Sequence, residues 1–171
     1  MLTTSLLMCV LAATGFSQVA APEGYRKVYI TSNVDKKFVV VPKAAKNGST
    51  LVVQTLNNKP EQQWYVKDGN TTGKIQLVDT SLCLDGGPKS NWKDMGNIYV
   101  NDCNNTTVGQ NWVVMTDGRI ALQASSPQEC VDLQYMRATV NNPVGLYSCA
   151  GLGNTGAADK GINWPLLNVT A

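Results

Sequence analysis

From about residue 25 to residue 167 the chain alternates short apolar runs rich in Val, Ile, Leu, Trp and Tyr with stretches dense in Gly, Asn, Asp, Ser and Pro. Runs of this length, built from β-branched and aromatic residues and bounded by turn formers, predict strands. No segment keeps apolar positions at helical spacing over the ten or more residues a helix needs. Twelve strands are expected: VYIT (28–31), FVVV (38–41), LVVQT (51–55), QWYV (63–66), KIQLVD (74–79), LCLD (82–85), NIYVND (97–102), NWVVM (111–115), RIALQA (119–124), ECVDL (129–133), GLYSC (145–149) and NWPLL (163–167).

The strands fall into three groups of four, and the last strand of each group carries a tryptophan. Gln62 stands two positions before Trp64 and Gln110 two before Trp112, while Ile162 takes the glutamine place before Trp164. The tryptophans lie 48 and 52 residues apart, a period that marks one supersecondary unit used three times. The units span about 25–68, 73–116 and 118–167, with GNTTG (69–73) and TDG (116–118) as joints too short to be interdomain linkers. Closure of three equivalent sheets around a pseudo-threefold axis removes their exposed edges, so the expected fold is an all-β β-trefoil. In that arrangement each tryptophan fills one third of a shared core, and each glutamine amide satisfies backbone groups at its unit's end.

A chain of 171 residues with 43% hydrophobic and 15% charged residues fits a single globular domain. The net charge is only +2 and there is no basic run, which argues against a nucleic-acid partner. Residues 1–20 have the layout of a secretory signal peptide, an apolar stretch from Leu6 to Ala13 followed by small residues, with cleavage expected after about residue 17 to 20. No other apolar segment approaches a membrane span, and the expected location is extracellular. Loss of Cys9 with the signal leaves four cysteines, and the repeat pairs them within units as Cys83 with Cys103 and Cys130 with Cys149. In the first unit Phe38 and Leu56 are expected to replace the bridge by an apolar contact. Sequons at Asn47, Asn70, Asn104, Asn105 and Asn168 are glycosylation candidates, of which the overlapping pair at 104 and 105 carries one glycan at a time.

Three units of this length, Gln-x-Trp near their ends, and CLD or CVD paired with a later cysteine together resemble the ricin B chain lectin family, the R-type lectins, over about residues 25–167. The resemblance implies a β-trefoil that binds carbohydrate without catalysis, usually galactose-type sugars, and therefore glycan or glycoprotein partners. It implies a site in which an aspartate just after the first cysteine accepts hydrogen bonds from sugar hydroxyls and an aromatic ring covers the sugar's apolar face. An asparagine just ahead of Gln-x-Trp adds a further contact. Carried onto this chain, Val40 and Gln54 fall at the aspartate and aromatic positions of the first unit, whose site is expected to be dead. The second unit supplies Asp85, with Asn101 at the aromatic position, Gly109 for the asparagine, and Trp92 and Tyr99 as available rings. The third supplies Asp132 and Tyr147, with Gly161 for the asparagine, and Asn154 or Asp159 of the long 152–160 loop as substitute polar contacts. The bland role for either aspartate is to accept backbone N–H groups in its own turn.

The absence of histidine removes Ser-His-Asp and Cys-His catalysis and the common zinc sites, and no cofactor or metal is expected. The surviving aspartates sit in different units, which argues against the paired carboxylates of a glycosidase. Two alternatives belong to other classes. One is a β-trefoil protease inhibitor using the loop GPKSNWKDMG (87–96) with Lys89 and Lys93; the other is a defence or structural protein that has lost its sugar sites. Oligomeric state and sugar specificity are not encoded in any pattern of the sequence.

Overall fold

The computed structural model describes residues 21–170, so the candidate signal segment with Cys9 lies outside the described residues. Thirteen strands appear in chain order: β1 (Arg26–Ile30), β2 (Phe38–Pro42), β3 (Ser49–Thr55), β4 (Trp64–Val66), β5 (Thr72–Gly73), β6 (Gln76–Leu77), β7 (Leu82–Asp85), β8 (Tyr99–Asp102), β9 (Trp112–Val114), β10 (Ile120–Leu122), β11 (Glu129–Leu133), β12 (Pro143–Ser148) and β13 (Leu166–Asn168). The strand beyond the expected twelve is β5, which lies in the GNTTG joint and pairs with β9. All pairings are antiparallel, in the order β13-β1-β4-β6-β7-β8-β3-β12-β11-β10-β9-β5, with β2 on β3. Pro165 has no N–H to give a ladder, and β13 starts only after it, at Leu166.

The three tryptophans make one contact three times. Trp64, Trp112 and Trp164 are at most 1% exposed and share a core with Val28, Leu51, Leu84 and Ile120. Each indole N–H donates to a main-chain carbonyl of its own unit, Trp64 to Val40 (2.9 Å), Trp112 to Leu84 (3.0 Å) and Trp164 to Val131 (2.8 Å). A fully buried indole needs such an acceptor, because an unmade bond there costs about 1–3 kcal/mol. The glutamines behave as the backbone caps their spacing suggests. Gln62 donates to Thr55 O and accepts from Asn57 N–H, and Gln110 donates to Asp102 O and accepts from Asn104 N–H. Ile162 has no amide to do this and packs instead with Ala121 beside the Cys130–Cys149 bridge.

These repeated bonds correct the alignment of the first unit. Val40 carries the carbonyl that Leu84 and Val131 carry in the other units, so Val41, not Val40, is equivalent to Asp85 and Asp132. The strand register agrees, since Val39 faces Gln54 as Cys83 faces Asn101 and Cys130 faces Tyr147. Val39, not Phe38, therefore holds the cysteine place, and it lies with Val41 and Val52 in a small cluster against which Leu56 packs. Phe38 packs on the main core. Cys83 is bonded to Cys103 and Cys130 to Cys149.

Candidate functional site

Asp85 and Asp132 occupy matching places at the ends of β7 and β11, are 6% and 7% exposed, and yet have opposite surroundings. Asp85 Oδ1 accepts the Gly87 N–H at 2.8 Å, and Oδ2 accepts amide hydrogens from Asn101 (3.1 Å) and Gln110 (3.2 Å). Its lone pairs are spent inside the fold. In the third unit the residues matching Asn101 and Gln110 are Tyr147 and Ile162, which present no amide. The Asp132 carboxylate accepts no hydrogen bond among the described residues. Burial, with the negative charges of Asp159 and Asp94 added, pushes its pKa up to about 7.

Asp132 opens onto a cavity of about 260 Å³ whose walls are Met95, Tyr135, Met136, Tyr147, Leu152 and Asp159. Four segments build it. Tyr147 comes from β12, and Tyr135 and Met136 come from the turn after β11 with consecutive positive φ angles of 62° and 49°. Bulky residues rarely adopt that backbone, at a cost of about 1 kcal/mol or more each. The conformation leaves Tyr135 73% exposed beside the acceptor. Asp159 and Leu152 come from the long loop, where Asp159 ties the loop down by accepting the Leu152 N–H (2.7 Å) and Gly161 N–H (2.8 Å). Met95 belongs to the second unit. Its loop is fastened across β12, with Met95 N–H to Leu146 O (2.8 Å), Leu146 N–H to Gly96 O (2.8 Å) and Ser148 N–H to Asp94 (2.8 Å).

The remaining sequence candidates fall elsewhere. Trp92 is half-buried against the main core and donates to Gly87 O at 3.1 Å, so its ring packs rather than forming a platform over an open site. Tyr99 pairs with Asp85 in the ladder and its ring lies along Gly87. Asn154 does not line the cavity, whereas Asp159 does. Glycines replace the expected asparagine for a steric reason: a Cβ at Gly161 would sit 2.9 Å from Asp132 Oδ1, and one at Gly109 would sit 2.9 Å from Asp85 Oδ1. Tyr135, Met136, Leu152 and Met95 were not expected from the sequence, and an exposed Tyr-Met pair next to CVDLQ was the available hint. The sequon asparagines Asn47, Asn70, Asn104, Asn105 and Asn168 are all exposed, although Asn47 both donates to and accepts from Asp102 at 2.6 Å. A larger hollow of about 500 Å³ runs past Lys27, Tyr29 and Gln63, but there the Gln63 amide is spent on the Tyr29 hydroxyl at 3.1 Å. Among the described residues no group of three or more Cys, Asp or Glu side chains is placed to hold a metal ion, and no helix is long and apolar enough to cross a membrane.

The sequence matches the ricin-type beta-trefoil lectin domain over residues 71–158, just over half of the chain. No curated protein matches it. The structure is similar to ThreeFoil, a designed 3-fold symmetric protein (TM-score 0.67, 18% identity, 84% of this chain and 99% of that one). It is similar to the C-half of the earthworm R-type lectin in complex with GalNAc (0.62, 13%, 84% and 99%). It is also similar to a non-toxic homologue of type II RIPs from bitter gourd, Momordica charantia, in complex with α-methyl-D-galactoside (0.61, 15%, 84% and 48%). At these identities the likeness shows the fold, an all-β β-trefoil.

Proposed function

The chain belongs to the ricin-type β-trefoil lectin family, and from that premise we propose that it binds carbohydrate, without catalysis, at the pocket of its third unit. The carrying observation is Asp132: a nearly buried carboxylate with no internal donor, at the edge of an apolar cavity with two tyrosines. Its oxygens face the cavity rather than an internal donor, so they are free to accept hydrogen bonds from a ligand's hydroxyls. Asp132 is the hydroxyl acceptor, Tyr147 and Tyr135 are the rings that cover the apolar face of a sugar, and Asp159 holds the loop that closes the rim.

The other two units lack this combination. Asp85 is occupied by Gly87, Asn101 and Gln110, and Val41 in the first unit has no polar atom in its side chain. We therefore assign a single functional sugar site. Galactose-type ligands are the first to test, since neighbours of the same fold were solved with GalNAc and α-methyl-D-galactoside. Paired cysteines suit a secreted protein acting on extracellular glycans or glycoproteins.

The loop of the protease-inhibitor alternative is shared with this pocket at one end, while Lys89 and Lys93 stay exposed. Residues 92–97 are pinned to β12 through Asp94, Met95 and Gly96, and this loop forms part of the pocket wall. The test is a glycan array followed by calorimetry on the disulfide-intact protein. Asp132→Asn and Tyr147→Ala should each lower affinity about fivefold to a hundredfold, from a charge-assisted bond or a ring contact of ~1–3 kcal/mol. Gln54→Ala, in the first unit, should leave it unchanged. A protein that binds no glycan on the array, or binds equally well after Asp132→Asn and Tyr147→Ala are combined, refutes the assignment.

A further inference from the structure

The third-unit pocket is acidic and greasy, and this narrows what it can hold. Its polar wall consists of two carboxylates and two phenols, and no lysine or arginine lines it. Asp132 Oδ1 and Asp159 Oδ1 border one point beside the bare Gly161, lying 2.9 Å and 3.2 Å from where a Cβ would be, with Met136 Cγ also at 3.2 Å, so one group approaching from the cavity can reach both carboxylates. Asp132 brings unused lone pairs to that point, and Asp159 Oδ1 brings one beyond the bond it accepts from Gly161 N–H. Around this point stand Met95, Met136, Leu152 and the two tyrosine rings, surfaces that favour C–H faces and cations over further hydroxyls. Anionic sugars meet two like charges.

We propose that the ligand of this pocket is a hexosamine bearing a free ammonium group, seated between Asp132 and Asp159 with its ring against Tyr147 and Tyr135. The inference rests on the carbohydrate-binding reading above and deepens it by naming the sugar class. An ammonium offers three donors and a positive charge, and so it satisfies both carboxylates where a hydroxyl offers one neutral donor. Its charge also offsets the negative charges of Asp159 and Asp94 that act on Asp132. N-acetylation removes the charge and puts a bulkier amide at the same point.

Proton balance gives an independent signature. Burial and the charges of Asp159 and Asp94 raise the Asp132 pKa to about 7, so near neutral pH the free protein holds a proton there that an arriving cation drives off. Net proton release is expected, equal to what Asp132 gives up less what the sugar's free-amine fraction takes up.

The experiment compares galactosamine, N-acetylgalactosamine and galactose by titration calorimetry at pH 7, in two buffers of different ionisation enthalpy. Galactosamine is expected to bind at least tenfold tighter than either neutral sugar, with net proton release and with a preference that shrinks as salt is raised. Asp132→Asn should shrink the preference for galactosamine at least threefold, leaving what Asp159 supplies, whereas Tyr147→Ala should weaken all three and keep their order. If N-acetylgalactosamine or galactose binds as tightly as galactosamine, the ammonium proposal is overturned and carbohydrate binding stands. If none of the three binds and a glycan array is blank, both fall.

Discussion

Asp132→Asn is expected to stabilise the protein at alkaline pH while it weakens ligand binding. The Asp132 carboxyl has a pKa of about 7 in the folded chain against an ordinary 3.8, because burial and the charges of Asp159 and Asp94 oppose its ionisation. Between these two values the folded chain holds a proton that the unfolded chain has released. The free energy of unfolding therefore falls as pH rises through that window and levels off above about 7. A shift of roughly three units corresponds to at most ~4 kcal/mol, and relaxation around the ionised group brings the working figure nearer ~2 kcal/mol. Asparagine keeps the shape and cannot ionise, though its buried amide hydrogens go unpaired at a cost of ~1 kcal/mol. The variant should thus match or trail the native protein at pH 5 and exceed it by about 1 kcal/mol at pH 8. Urea titrations at pH 5, 6, 7 and 8 with the disulfides intact, read as midpoints at constant slope, measure this directly. Glu129, also held near 7 by burial and by Asp94, titrates in both proteins and largely drops out of the difference. A midpoint gap that is the same at pH 5 and pH 8 would show that Asp132 ionises normally, and the account of a carboxylate awaiting a donor would fail.

Tyr135→Gly should raise stability by up to ~1 kcal/mol by relieving a positive φ in a bulky residue, while lowering affinity for the sugar; paired urea and calorimetric titrations check both signs. Trp112→Phe should cost about 2–4 kcal/mol, from lost volume and a Leu84 carbonyl left unpaired, and Trp64→Phe should cost about the same because its contact with Val40 is equivalent; a midpoint difference beyond about 2 kcal/mol between them would break the threefold equivalence. Gly161→Asn, which restores the residue that the lectin family carries at this place, should destabilise by about 1–3 kcal/mol and lower rather than raise sugar affinity, since its Cβ meets Asp132 Oδ1 at 2.9 Å. Replacing both Cys83 and Cys103 by alanine should cost about 3 kcal/mol in thermal or urea unfolding, from a closure spanning 20 residues.

The sequence by itself determined the all-β class, the threefold repetition, the burial of Trp64, Trp112 and Trp164, and the pairing of cysteines within units. These follow from local composition and period, which the units state three times for the tryptophans and twice for the cysteines, so an error in one is corrected by the next. Registration of the first unit was not legible in this way. FVVVP offers three consecutive valines and no cysteine or aspartate to mark a face, and a slip of one residue leaves the text equally apolar. The carbonyl that receives the Trp64 indole, together with the pairing of Val39 with Gln54, identified Val41 as the partner of Asp85 and Asp132. The difference between those two aspartates was likewise decided in three dimensions. Whether a carboxylate is spent or open depends on amides that arrive from other strands and turns: Asn101 and Gln110 reach Asp85, while Tyr147 and Ile162 bring none to Asp132. The glutamine missing from the third Gln-x-Trp reads in the sequence as decay, yet its absence helps to leave the acceptor free. The pocket walls were the least legible part, because Met95 is lent by the neighbouring unit and the left-handed turn at Tyr135 and Met136, in residues whose own preferences oppose it, follows Gln134, whose carbonyl accepts the Asn142 amide.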